Sequence, residues 1–374
     1  MSSNFKPFEL ERMMSKWEHR VDYNLSESGV HPLSMRELVE DPDELEGLLS
    51  MSLNYPQTNG TLELRQRIAA LYDDAKPENI LVTNGCAEAN FHTVRTVLQP
   101  GDEIVVMTPN YAQIWGIAEN LGHQPQALPL IENGNWSLDL EAMQKVVSEK
   151  TKLIAVCNPN NPTGYILKDD EIEAIVAAAD RVGAWLLADE VYAGTEHASD
   201  EFTPSLWGRY DRVLAMGSLS KAYALPGLRI GWVVAPAEMA DDIWARMEYT
   251  TICATLLSNK LAEIALRPEM RSKLLKRTRE YVRGGYEILE QWVDEQDGIF
   301  QMIAPDAAAI AFLRYKLEIN STELVEHLIH DKSVYVAPGD HFGLDGFLRI
   351  SYGLPPDYLR DGLSRIHEGI ETSV

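Results

Sequence analysis

Ser218-Leu219-Ser220-Lys221-Ala222-Tyr223-Ala224-Leu225-Pro226-Gly227-Leu228-Arg229-Ile230-Gly231 gathers a lysine, hydroxyls and an arginine between two short apolar runs, 213–216 and 230–234. The flanking runs read as strands, so the stretch is a loop at a strand end, where a protein builds a site and not a core. Alone, a Ser-x-Ser-Lys loop is equally a polar surface turn. Two further segments change its weight. Ala184-Trp185-Leu186-Leu187-Ala188-Asp189-Glu190-Val191-Tyr192 is an apolar strand ending in a carboxylate, and Asn158-Pro159-Asn160-Asn161-Pro162-Thr163-Gly164 directly follows the apolar run 153–157. By itself each has a plain explanation: an aspartate capping a turn, and a loop stiffened by two X-Pro steps that force extended backbone.

Around these segments, from about residue 60 to 235, short strand-like runs at 80–83, 104–107, 153–157, 185–189, 213–216 and 230–234 alternate with helical periodicity at 62–72, 87–98 and 170–179. That alternation predicts an α/β domain whose helices cover a mostly parallel sheet. Residues 239–266 and 270–293 predict two long helices, with Pro268 ending one and letting the other start. Apolar segments resume at 308–313, 334–337 and 347–350, before a terminal helix near 358–370. These predict a small α+β domain completed by the N-terminal segment, where Phe5, Phe8, Leu10, Met13, Met14 and Trp17 recur at helical spacing. The short helix they form packs on the body or on a second subunit. The expected division is a large domain over 46–285 and a small one formed by 1–45 together with 286–374.

Composition narrows the function. The 374 residues carry 33 Lys+Arg and 57 Asp+Glu, a net charge of -24, and are 45% hydrophobic. This is globular composition with length for two domains, and its sign repels phosphodiester backbones and anionic lipid, so neither nucleic acid nor membrane is an expected partner. Three cysteines without CxxC spacing exclude a disulfide framework and a zinc ribbon, and fit a reducing cytoplasm. No apolar run approaches the ~20 residues of a membrane span, and the first residues lack a signal-peptide core. No two of the 24 glycines are separated by a single residue, so a GxG dinucleotide fingerprint is excluded, and GxxxxGK[ST], HExxH and GxSxG are absent too.

Taken together and in this order, the three segments resemble fold type I pyridoxal-phosphate (PLP) enzymes, most closely the class I/II aminotransferases, over nearly the whole chain. The resemblance implies an aspartate-aminotransferase-like fold: a large PLP-binding domain with a mostly parallel mixed sheet, plus the small α+β domain. It makes Lys221 the lysine that forms the cofactor's Schiff base, and Arg229, with Ser218 and Ser220, the holders of its phosphate. Asp189 takes the place of the carboxylate paired with the pyridine nitrogen, and Tyr192 and Asn161 those of the partners of the ring's phenolic oxygen. Gly85-Cys86-Ala87 is similar to the small-residue turn that meets the phosphate at a helix start, and Tyr111 in Pro109-Asn110-Tyr111 to the aromatic that stacks on the ring. Tyr55 resembles the tyrosine that reaches the neighbouring subunit's phosphate, which implies a homodimer with shared active sites. Arg349 in Phe347-Leu348-Arg349-Ile350-Ser351 resembles the clamp on the substrate α-carboxylate. Gly29 would place a backbone N–H beside it, and Asn161 would also border the substrate.

These residue types suit the chemistry. The ring draws electrons only while its nitrogen is protonated, which a buried carboxylate favours. A lysine desolvated beside other cations can be neutral at working pH and so both anchor the cofactor and shuttle a proton. A planar guanidinium matches a carboxylate bidentately. The implied activity is transfer of an amino group between an L-amino acid and a 2-oxo acid. Ser28-Gly29-Val30-His31 and Ala307-Ala308-Ala309 depart from the commonest pattern and resemble the capreomycidine synthase branch, which uses the same cofactor for elimination and cyclisation. A PLP-dependent lyase or cyclase is therefore the alternative. An inactive relative serving as a binding or regulatory module is opposed by intact Lys221, Asp189, Asn161, Tyr192 and Arg229.

Overall fold

The computed structural model describes residues 5–371. Its largest sheet has eight strands in the order Ile80–Asn84, Ile230–Val234, Val213–Ser218, Trp185–Asp189, Thr151–Cys157, Glu103–Thr108, Gln126–Glu132 and Trp136–Leu138. The five strands from Val213–Ser218 to Gln126–Glu132 are mutually parallel, and antiparallel strands flank them on both sides. Central parallel strands are covered on both faces, which is why they read as unbroken apolar runs. Val213–Ser218 and Ile230–Val234 are buried at every position.

On one face lie the helices Cys86–Val97, Gln113–Asn120 and Ala237–Met247, through Ala89, Val94, Ile114, Ala118, Ile243 and Met247. Leu62–Ala69 and Asp169–Val182 contribute Leu64, Ile68, Ile172 and Ile175 to the larger core cluster. That cluster continues into a four-stranded sheet ordered Phe300–Met302, Ile310–Tyr315, Phe347–Ser351, Ala337–Pro338, with Leu324 and Leu328 of the helix Ser321–Lys332 and Leu363 and Ile366 of Pro356–Glu371. Tyr23–Asn24 pairs in parallel with Val334–Tyr335 in a separate two-stranded sheet, which ties the N-terminal segment to the C-terminal part of the chain. Helix Glu9–Trp17 buries Leu10 and Met14 in the same core.

Two expectations are corrected. The continuous helix over 239–266 is two helices, Ala237–Met247 and Leu256–Ala265. The break holds the β-branched run Thr250-Thr251-Ile252, whose side chains are restricted in a helix, and Ile252 has φ 69°. Thr255 then caps the second helix by accepting the Ser258 N–H at 3.2 Å. The sheet also has two strands that the periodicity missed, Gln126–Glu132 and Trp136–Leu138. The first contains Pro129, which lacks an N–H for the ladder and reads as a breaker, yet is tolerated beside the sheet edge. Pro268 opens the 27-residue helix Pro268–Asp294 at its first position, as expected.

Candidate active site

The candidate residues follow from where strands end. Asn161 lies in the loop after Thr151–Cys157, Asp189 ends Trp185–Asp189, and Ser218 ends Val213–Ser218. All three stand at the carboxyl edge of the parallel sheet, where open α/β sheets leave a crevice. A cavity of about 370 Å³ opens there, lined by Lys221, Asp189, Tyr192, Asn161, Tyr111 and Arg349 among others, with Cys86, Ala87, Ser218, Ser220 and Arg229 also on its wall.

One side of the cavity gathers groups that could hold an anion: Arg229, Ser218, Ser220 and the start of the helix Cys86–Val97. Gly85 precedes that helix with φ 78° and no side-chain cap; the Glu88 N–H donates to the Gly85 carbonyl at 3.2 Å, and the Cys86 and Ala87 N–H groups are left for a ligand. A Cβ on Gly85 would lie 2.4 Å from Nη2 of Arg229, and one on Gly231 would lie 2.3 Å from the Cys86 nitrogen. The turn and the arginine thus meet only because both positions are glycine. Arg229 itself is left-handed at φ 50°, an uncommon conformation for a non-glycine residue that an active-site loop can sustain. Its Nη1 donates to the Pro226 carbonyl at 3.0 Å. Ser218 Oγ accepts the Ser220 N–H at 2.8 Å, which fixes the loop just before Lys221.

Asp189 accepts the Val191 N–H at 3.3 Å and lies 3.5 Å from Asn90 Nδ2, with the Cys86 sulfur 3.9 Å from both its oxygens. Burial pushes the Asp189 carboxyl up, and these donors together with Lys221 pull it back. The Cys86 thiol is raised by burial and by Asp189, so it stays protonated and is no nucleophile. Lys221 is lowered chiefly by burial and further by Arg349 and Arg229, while Glu27 and Glu11 oppose the shift.

Arg349, also on the cavity wall, is 2% exposed. Nη1 donates to Asn161 Oδ1 at 2.9 Å, Nη2 donates to the Ser26 carbonyl, and Nε is buried without a partner. Tyr192 donates its hydroxyl to Ser28 Oγ at 2.9 Å, and Tyr111 to Glu11 Oε1 at 2.6 Å. The Gly29 backbone lies against Ser220 and Lys221: a Cβ there would be 3.3 Å from the Ser220 carbonyl oxygen.

All but one of the expected residues therefore gather around one cavity or its rim. Tyr55 is the exception: it is 82% exposed and is not among the residues lining the cavity. Sequence reasoning missed Ser26, Ser28, Asn90 and Gln113, which hold the expected residues. Gln113 accepts from Asn90 at 3.2 Å and donates to the Ala87 carbonyl at 2.8 Å. Only Ser28 carried a signal, as the neighbour of Gly29.

A desolvated lysine, a desolvated carboxylate and a turn whose glycines leave no room for a Cβ beside Arg229 fit pyridoxal phosphate, and the fold and site together point to a PLP-dependent enzyme. The chain belongs to the aminotransferase class I and II family, whose model matches residues 29–366. It is 30% identical to the capreomycidine synthase of Streptomyces vinaceus, over 97% of this chain and 93% of that protein. A PLP-dependent aminotransferase from Streptococcus suis superposes with TM-score 0.92 at 29% identity, covering 99% of this chain and 98% of that one. A Thermus thermophilus aspartate aminotransferase double mutant shares the fold at TM-score 0.86 and 22% identity, covering 98% and 97% of the respective chains. The fold is thus aspartate-aminotransferase-like, and the family's cofactor is pyridoxal phosphate. Among the described residues no helix is long and apolar enough to cross a membrane.

Proposed function

We propose that the protein is an aminotransferase that moves an amino group between an L-amino acid and a 2-oxo acid, with Lys221 as covalent anchor and proton carrier. The observation that carries this is the convergence of Lys221, Asp189 and Arg349 on one cavity. Bound pyridoxal phosphate supplies the electron sink that acidifies the substrate's α-C–H bond. Asp189 would keep a proton on the ring nitrogen, and Tyr192 and Asn161 would bond the ring's oxygen. Arg229, Ser218, Ser220 and the Gly85-Cys86-Ala87 turn would hold the phosphate, and Tyr111 would pack against the ring. Arg349 and the Gly29 backbone orient the substrate carboxylate. Lys221, with its amine favoured neutral by burial, would take the α-carbon proton onto Nζ and hold it for return.

Exposed Leu53, Tyr55 and Tyr249, at 82%, 82% and 93%, support a homodimer in which Tyr55 serves the neighbouring site. The division into 46–285 and 1–45 with 286–374, and a cytoplasmic setting, belong to the same proposal. A second reading, elimination or cyclisation on this scaffold, is favoured by the 30% identity to a capreomycidine synthase along nearly the full chain. A panel of single amino acids given to the holoenzyme without an acceptor separates the two. Build-up of pyridoxamine phosphate supports transamination, whereas ammonia or a cyclised product with unchanged cofactor overturns it in favour of the second reading.

A further inference from the structure

A second cavity, of about 820 Å³, lies back to back with the first, and Val191 and Ser218 line both. Successive side chains of a strand point to opposite faces, so at the end of Trp185–Asp189 the Asp189 carboxylate serves the first cavity and Glu190, next along, the second. Glu190 is 8% exposed. Its Oε1 accepts from the Ser205 hydroxyl at 3.0 Å and from the Leu206 N–H at 2.8 Å. Oε2 accepts from no described residue and is not enclosed, so it faces the cavity that Glu190 lines. Three aromatic residues stand with it. The Glu190 N–H donates to the Met216 carbonyl at 3.0 Å, and the next residue, Gly217, packs against the Trp232 indole, where a Cβ would lie 2.3 Å from Cε2. Trp232 Nε1 donates to the Tyr72 hydroxyl at 2.9 Å, and that hydroxyl donates to no described residue. Glu190 and Tyr223 both act electrostatically on Tyr72, so all four groups share one part of the wall.

A buried carboxylate oxygen without a donor is costly to keep ionised unless a cation reaches it, and burial indeed raises this carboxyl to about 7. Aromatic faces beside such an oxygen supply the cation's remaining contacts. The same cavity already holds one cation in this manner: Arg271 Cζ lies 4.6 Å from the Phe202 ring centroid, and Nε donates to the Tyr223 hydroxyl at 3.2 Å. The charge balance of the wall points the same way. With Glu190, the exposed Asp73, Asp74 and Asp211 set four carboxylates against Arg209 and Arg271, and Arg209 lies 3.6 Å from Asp169 outside the cavity. We infer that this cavity is a second ligand site, separate from the catalytic one, that takes an organic ammonium ion: an N–H donates to Glu190 Oε2, and the carbon groups on the nitrogen pack against Tyr72, Tyr223 and Trp232. The site uses neither Lys221 nor Arg349, so it stands apart from the proposed function.

Calorimetric titration of the holoenzyme with benzyldimethylammonium reads this without relying on turnover, because a tertiary amine forms no Schiff base with the cofactor. N,N-Dimethylbenzamide has the same skeleton without the charge. The expected result is that the ammonium binds roughly tenfold or more tightly than the amide, since a charge-assisted bond is worth about that much. Glu190→Gln keeps an acceptor for Ser205 and Leu206 and removes the charge; it should bring the ammonium to within about threefold of the amide and leave the amide unchanged. Tyr72→Leu removes an aromatic face and leaves Glu190 in place. It should weaken the ammonium by about threefold or more, and Tyr72→Phe, which keeps the ring, should restore it. An ammonium that binds no more tightly than the amide, or as tightly to Glu190→Gln as to wild type, overturns the inference. If borohydride traps no cofactor on Lys221, the proposed function fails separately, and the same titration of the chain alone decides this site by the same two comparisons.

Discussion

Arg349 Nη1 donates to Asn161 Oδ1 at 2.9 Å, which joins the four-stranded sheet to the loop at the carboxyl edge of the eight-stranded one. The bond leaves the planar guanidinium held in place at the cavity wall with Nε still free. Arg349→Lys keeps the charge but loses the fork, so one ammonium must serve Asn161, the Ser26 carbonyl and a substrate carboxylate. KM for the amino acid should rise by roughly tenfold to a hundredfold, with a smaller change in kcat. Steady-state kinetics check this, and an unchanged KM contradicts the clamp.

Asn161→Ala removes the acceptor and strands a buried charged donor. It should lower stability by about 1–3 kcal/mol even without cofactor. Denaturant unfolding of the cofactor-free protein measures the loss.

Gly85→Ala tests the anion cradle. At φ 78° the alanine is strained, and its Cβ would lie 2.4 Å from Arg229 Nη2, so the arginine must swing away. Affinity for PLP should fall by about tenfold or more in an absorbance titration, since a charge-assisted contact is lost, while the fold persists with a modest drop in melting temperature.

Glu190 is buried next to the site residue Asp189, and burial raises its carboxyl from 4.5 to about 7, although the Ser205 hydroxyl and Leu206 N–H both donate to it. The native state therefore holds this proton more tightly than the unfolded chain does. Stability from the group is complete below about pH 4.5 and is lost as pH rises through about 7. Glu190→Gln keeps an acceptor oxygen for both donors and has no charge to bury. Its melting temperature should gain on wild type as pH rises across that window, by an amount corresponding to at most on the order of 3 kcal/mol. A parallel pH dependence in the two proteins contradicts the assignment.

The parts of the molecule that could be read from sequence are those where one physical signal acts alone. The central strands are buried on both faces and so are continuous apolar runs, and the loops after them carry their chemistry within a few residues, as Ser218 to Arg229 do. What could not be read depends on distant partners. Tyr192 bonds Ser28 from 164 positions away, and Arg349 reaches Asn161 from 188 away. No local pattern reports such pairs. The same holds for Glu11, which looks like the solvated face of a helix until the fold brings it to the Tyr111 hydroxyl. Local signals also conflict: Pro129 hid a strand, and the helix-favouring residues around Thr250-Thr251-Ile252 hid a break.

With a net charge of -24, the chain concentrates Lys221, Arg229, Arg349 and a helix N-terminus around one cavity. That concentration is meaningful only if Lys221 carries the cofactor. Borohydride reduction of the PLP-reconstituted protein, followed by peptide mass mapping, tests this most directly. The expected result is one pyridoxyl-phosphate increment, on the peptide containing Lys221, and its absence in Lys221→Ala. An unmodified Lys221 at saturating PLP, or a stoichiometric adduct on another lysine, would contradict it.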